Sequence, residues 1–76
     1  MEHSEELSMA VRHVRRGRIV VARQRQYVED LQASSRPSQW AETLLATFLA
    51  SQDIFERHER QLRKKLEVAE ARGRTG

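Results

Sequence analysis

The first half of the chain carries apolar residues at a seven-residue spacing, which puts them on one face of an α-helix. That face consists of Leu7, Ala10, Val11, Val14, Val21, Val28 and Leu31. Ser4 is the predicted N-cap, with Glu5 and Glu6 in the first turn, where the helix dipole favours acidic side chains. The pattern predicts helix one over residues 4–33.

The second half repeats the spacing. Its apolar face consists of Ala41, Leu44, Leu45, Phe48, Phe55, Leu62, Leu66 and Ala69. Ser38 is the predicted N-cap, and Gly73 is the predicted stop at the C-terminal end. The pattern predicts helix two over residues 38–72, followed by a frayed tail over 73–76.

Between these halves lies Pro37, the only proline, at the centre of a serine-rich segment. The residue before a proline avoids the helical region, so Arg36 belongs to a link over residues 34–37. Because a link this short favours antiparallel neighbours, we expect an all-α fold, a two-helix antiparallel hairpin. The whole chain, 1–76, forms one domain.

Folding at the link pairs positions whose numbers add to about 71. Glu5 and Glu6 then lie near Lys64 and Lys65, and Arg16 lies near Glu56. The charges across the hairpin are complementary in this register. Exposed pairs of this kind contribute little stability each, so they support the register of the hairpin more than its strength.

The apolar surface is wider than a single helix–helix seam requires. Val20, Tyr27 and Leu31 form a second strip on helix one, and Leu45 and Leu49 form one on helix two. A chain of 76 residues has a marginal core, so an extra apolar strip favours a further buried contact. We predict self-association through these five residues, as a homodimer that forms a four-helix bundle.

Polar residues interrupt the apolar faces. Gln24, Gln52 and Glu59 point inward by helical spacing, and buried polar groups need partners. The favoured interpretation is a layer that sets the register, with Glu59 paired to Arg18 or Arg12; the alternative is a polar pocket. Gly17, in the middle of helix one, indicates a close approach of another helix.

Composition narrows the class of protein. Charged residues make up 33% and apolar residues 38%, which suits helices with one apolar stripe each. Cysteine is absent, which excludes disulfides and thiolate metal sites. An acidic N-terminus and the lack of a long apolar run argue against a signal peptide or a membrane span, so we expect a soluble cytoplasmic protein.

Helix one contains six arginines within residues 12–25 and no acidic residue there. Arg12, Arg15, Arg16 and Arg23 could contact a nucleic acid or another polyanion, although the net charge is only +3. The favoured interpretation is a solvated face whose arginines pair with Asp53, Glu56 and Glu59 of helix two. Nucleic acid is therefore the alternative partner.

Candidate chemistry is sparse. His13 and His58 fall at the same level of the hairpin, but a zinc site needs three or four ligands, and no known ligand spacing is present. Ser51 and His58 are too far apart for a nucleophile and its base. We predict no enzymatic activity, no metal and no cofactor; the role of the two histidines stays open.

Part of the chain resembles a group of short bacterial proteins. The residues that carry the resemblance are Gly17, Val21-Ala22-Arg23-Gln24, Val28 and Leu31, followed by Ala41-Glu42 and Leu44-Leu45-Ala46-Thr47-Phe48. The resemblance covers roughly residues 12–62 and implies a helical hairpin of bacterial origin without implying an activity. At the turn, this sequence has Arg36-Pro37-Ser38 where those proteins more often have Gly and Asp.

The sequence thus predicts a small protein that acts through self-association and through binding to another protein, in an interaction or regulatory role. The alternative is binding of nucleic acid or another polyanion through the arginines of helix one.

Overall fold

The computed structural model describes residues 2–75, with side chains from 5 to 73. Two helices, α1 (Glu2–Ala33) and α2 (Gln39–Thr75), account for almost all of this range and pack against each other. The predicted all-α hairpin is confirmed. In residues 2–75, neither helix contains a segment with the length and apolar character needed to cross a membrane.

The helix ends differ in part from the prediction. α1 begins at Glu2, so Ser4 lies within the helix and is not its N-cap. α2 continues through Gly73 to Thr75, and Gly73 does not adopt the positive φ of a helix stop. A Cβ at Gly73 would meet no described atom within 4 Å, so no tertiary contact within the described range forces the chain to turn there. Gly76 lies outside the described residues.

α1 ends at Ala33 in a Schellman motif, as the link prediction requires. Ser35 takes the left-handed position with φ of 56°. The Arg36 amide donates to the Leu31 carbonyl at 2.8 Å, and the Ser35 amide donates to the Gln32 carbonyl at 3.1 Å. These two bonds satisfy carbonyls that the end of the helix would otherwise leave free.

We expect Ser35→Gly to stabilise the hairpin by about 0.5–1 kcal/mol. Glycine adopts the left-handed conformation without the steric cost that a Cβ introduces, and this gain exceeds its extra entropy when unfolded. Urea unfolding followed by circular dichroism measures the change. The control is Ser34→Gly, one residue earlier, where φ is not positive and the change should be neutral or unfavourable. Equal effects at both positions would contradict the expectation.

α2 begins directly after Ser38, which confirms Ser38 as the residue that precedes the helix. The Glu42 amide donates to the Ser38 carbonyl at 2.8 Å, and the Ser38 hydroxyl donates to the Glu42 carboxylate at 2.9 Å. The carboxylate of Glu42 also lies in the first turn, where the helix dipole favours it. Pro37 lies two residues before α2, and the first helical bond and this side-chain contact both involve Ser38.

The core is small. Its buried apolar residues are Ala10, Val14, Val28, Leu31, Ala41 and Leu62, and no large side chain in the described range is completely buried. Val28, Leu31 and Ala41 form a cluster near the link, with Leu45 packed against it. Along the seam Leu7, Val11, Val21 and Phe48 are only half-buried. The seven-residue pattern therefore identifies the seam correctly, but several of the seam residues are only partly buried.

The molecule is a rod of 64 × 15 × 14 Å. Its radius of gyration is 17.8 Å, whereas a compact domain of this length has about 11 Å. Its solvent-accessible surface is 6359 Å², against about 4,800 Å² for a compact monomer of the same mass. The hairpin leaves far more surface in water than a compact domain of this size.

Candidate interaction surfaces

One flank of the hairpin exposes a row of large apolar side chains. Val20, Phe48 and Phe55 line a shallow groove beside Gly17, and Tyr27 and Trp40 line the next groove, at the link. Val20 and Tyr27 are seven residues apart, so they project from the same side of α1. We call Val20, Tyr27, Trp40, Phe48 and Phe55 the apolar flank. Tyr27 is 53% exposed and Trp40 is 79% exposed.

The structure separates the five residues predicted for self-association. Leu31 is buried and Leu45 packs against its cluster, so both belong to the core of the hairpin itself. Val20 and Tyr27 lie on the apolar flank, whereas Leu49 lines a groove on the opposite flank, with Arg18 and Glu56. Of the five residues predicted for self-association, Val20 and Tyr27 are therefore the two that share an exposed surface.

His13 stacks on Phe55 at the end of the apolar flank, with 5.5 Å between the ring centroids and 22° between the ring planes. His58 is exposed and does not share this contact. In the part of the chain that the structure describes, no three histidine, aspartate or glutamate side chains lie close enough to hold a metal ion. The structure therefore gives His13 a packing contact.

The opposite flank contains the one ion pair between the helices among the described side chains. Arg18 Nη2 lies 3.4 Å from Glu56 Oε1. The predicted partner of Glu56, Arg16, instead lines the groove of the apolar flank. Side chains tilt toward the N-terminus of their own helix, so in an antiparallel pair Arg18 and Glu56 lean toward each other. Arg16 is two residues from Arg18, which is about 200° around the helix, so it projects from the other flank and does not reach Glu56.

The other predicted ion pairs across the hairpin are also absent among the described side chains. Glu59 accepts from Arg63 Nε at 3.0 Å on α2, and not from Arg18 or Arg12. Asp53 accepts from Arg57 Nη2 at 2.7 Å on the same helix. No described ion pair joins Glu5 or Glu6 to Lys64 or Lys65. Asp53 and Glu59 are therefore paired within α2 itself.

This pairing leaves four arginines of α1 without acidic partners among the described side chains. Arg12, Arg15, Arg16 and Arg23, which we call the arginine face, are all exposed, and none forms an ion pair with a described side chain. The expectation that they pair with Asp53, Glu56 and Glu59 was wrong, because those three carboxylates pair with Arg57, Arg18 and Arg63. The arginine face is therefore a cationic surface open to solvent.

Two inward glutamines tie each helix to the backbone of the other. Gln24 Nε2 donates to the Ala41 carbonyl at 2.9 Å, and Gln52 Nε2 donates to the Val14 carbonyl at 2.9 Å. Gln52 is only 7% exposed, and its Oε1 atom has no hydrogen-bond partner among the described residues. The two bonds run in opposite directions across the seam and fix the level at which α1 and α2 meet. This arrangement agrees with the predicted polar layer for both glutamines.

Gly17 of α1 and Gln52 of α2 face each other across the seam. A Cβ at residue 17 would overlap the side-chain amide of Gln52. Gly17 was predicted to mark a close approach, and the structure confirms it. The sequence did not identify Gln52 as the side chain that fills the space, because helical periodicity gives the face of a residue but not its partner.

Two aromatic residues of the apolar flank, Phe48 and Phe55, were predicted as core residues and not as part of an exposed surface. Phe48 and Phe55 have the spacing of core residues, yet Phe48 is half-buried and Phe55 is exposed. Gly17 could have indicated that these rings are exposed, because glycine has no side chain that could pack over the aromatic residues beside it.

Comparison of the chain with family models, with curated proteins and with solved structures finds no match. The resemblance to short bacterial helical hairpins therefore stays a prediction.

Proposed function

We propose that this chain is a small non-enzymatic interaction protein that acts as a homodimer, in which two hairpins pack through their apolar flanks into a four-helix bundle. A cytoplasmic setting suits the cysteine-free sequence. The dimer is the form that would bind further protein partners or take a regulatory role.

The observation that carries the proposal is the apolar flank itself. Large apolar side chains that lie together on one surface mark an interaction site, because water disfavours their exposure. This flank carries two neighbouring groups of exposed apolar residues along the rod. The first contains Val20 and Phe55, and the second, at the link, contains Tyr27 and Trp40. The aromatic members are also the residue types enriched in protein interfaces.

The large exposed area of the hairpin favours a second copy of the chain as the partner that covers the apolar flank. The rod exposes about 1,500 Å² more than a compact monomer of its mass. A standard interface buries about 800 Å² on each partner, which would remove about half of this excess. The flank of one rod matches the length of another, and a two-fold contact needs only one surface.

Sedimentation equilibrium at tens of micromolar tests the proposal, and the expected mass is twice 8.9 kDa. Val20→Glu should shift the protein to the monomer, because a dimer would have to bury the new carboxylate. Leu49→Glu is the matched control: Leu49 is 41% exposed and Val20 is 42% exposed, but Leu49 lies on the opposite flank. The control should stay dimeric.

Two outcomes would contradict the proposal. One is a helical wild-type protein that sediments as an 8.9 kDa monomer at these concentrations. The other is equal weakening of the dimer by Val20→Glu and Leu49→Glu, which would show that the apolar flank is not the interface.

A further inference from the structure

The geometry points to a second binding surface: the arginine face binds the phosphate backbone of duplex nucleic acid. Arg16 also lines a groove of the apolar flank, whereas Arg12, Arg15 and Arg23 line neither of its two grooves, and the inference does not depend on dimerisation.

The first argument is charge. Residues 12–25 of α1 contain arginine and histidine but no acidic residue, and the nearby carboxylates of α2 are already paired. Unpaired guanidinium groups bind phosphate well because they offer several N–H donors in a planar fork. Displacing Arg18 from Glu56 is not required, since the four residues of the arginine face are free of described ion pairs.

The second argument is geometry. Arg12 and Arg23 are eleven residues apart on one continuous helix, which corresponds to a span of about 16 Å. Duplex DNA carries one charge per about 1.7 Å of its axis, so a stripe of this length lies over about ten phosphate charges. Packing against α2 holds the stripe in a fixed orientation.

The third argument separates a duplex from other polyanions. Single-stranded nucleic acid is bound by stacking on aromatic side chains, and the aromatics here lie in the grooves of the apolar flank. An anionic membrane surface is bound by a helix that inserts a wide apolar face. The apolar seam of α1 packs against α2, and Ile19 and Val20 are the large apolar side chains that residues 12–25 of α1 leave exposed. Contacts to phosphates in a duplex need neither an aromatic platform nor an inserted face.

Fluorescence anisotropy with a mixed-sequence duplex of about 20 base pairs, which matches the length of the rod, tests the inference. If the arginine face contacts four phosphates, the logarithm of the association constant should fall linearly with the logarithm of the salt concentration. The slope of this line should be at least about 3.6 in magnitude. This corresponds to a loss of roughly 150-fold or more between 50 and 200 mM salt.

The variant Arg12→Gln/Arg15→Gln/Arg23→Gln removes three of the four contacts, so we expect at least a tenfold loss of affinity at 50 mM salt and a reduction of the slope by about 2.7. The matched control, Arg60→Gln/Lys64→Gln/Lys65→Gln, makes the same change of net charge at exposed positions of α2. It should keep the slope of the wild type.

A third variant, Arg12→Lys/Arg15→Lys/Arg23→Lys, keeps the charge and should keep the slope, whether or not the glutamine variant folds. The inference is overturned if the wild type does not bind the duplex at 50 mM salt, if the control reduces the slope as much as the face variant does, or if the lysine variant loses the slope. Binding to anionic vesicles with none to the duplex would also overturn it.

Discussion

Gly17→Ala is expected to destabilise the hairpin by about 1–2 kcal/mol, although alanine is the better helix former. Within a helix the substitution by itself should stabilise by about 1 kcal/mol. Here the new Cβ would overlap the amide of Gln52, which is buried and donates to the Val14 carbonyl. Displacing a buried amide from its acceptor costs about 1–3 kcal/mol, and the strain of moving the side chain adds to this cost.

A double-mutant cycle isolates this contact. Gln52→Ala removes the amide and opens the space that the new Cβ at residue 17 needs, so the Gly17→Ala/Gln52→Ala variant should be at least as stable as Gly17→Ala. We expect a coupling of about 1 kcal/mol or more between the two positions, measured by urea unfolding.

The control for the intrinsic effect of alanine is Gly73→Ala in α2. A Cβ there would meet no described atom within 4 Å, so the change should be neutral or stabilising. If Gly17→Ala stabilised the protein as Gly73→Ala does, the close contact with Gln52 would not constrain residue 17.

The hairpin follows from local signals that act over a few residues. Pro37 with the surrounding serines predicts the break, and the seven-residue spacing of residues such as Val14 and Val28 predicts the seam. Each of these signals reports a strong preference: the restricted backbone near proline, and the removal of apolar side chains from water. Both preferences can be recognised from the order of residues along the chain, without knowledge of the distances between the helices.

The details across the seam depend on distances that the sequence pattern does not contain. The position numbers place both Arg16 and Arg18 at about the level of Glu56, but the two arginines project from opposite flanks, and Arg18 is the one that pairs with Glu56. The same limit applies to Leu31 and Leu49. Both add to the width of the apolar surface, but one is buried in the core and the other lies on the far flank.

At the C-terminal end of α2, a local signal predicted the wrong helix end. Gly73 favours a helix stop when the chain must turn, because glycine readily adopts positive φ. Here the helix continues through it to Thr75 without a positive φ. Glycine near the end of a helix permits a stop without requiring one, and a Cβ at residue 73 would meet no described atom within 4 Å.

Leu31→Ala and Tyr27→Ala, one helical turn apart, should weaken the protein in different ways. Leu31 is buried in the cluster with Val28 and Ala41, so its truncation should cost about 2–4 kcal/mol at any protein concentration. That is a large part of the stability of a small domain. Tyr27 is half exposed on the apolar flank, so its truncation should barely change the isolated hairpin but should weaken the dimer.

Thermal unfolding at low and at high protein concentration distinguishes the two effects, because the stability of a dimer depends on concentration. We expect Leu31→Ala to lower the Tm at both concentrations, and Tyr27→Ala to lower it mainly at the high one. The Tyr27→Ala curves should therefore lie closer together than those of the wild type. If Tyr27→Ala lowered the Tm at low concentration as much as Leu31→Ala does, Tyr27 would be part of the hairpin core, and the apolar flank would lose a residue on which the dimer proposal depends.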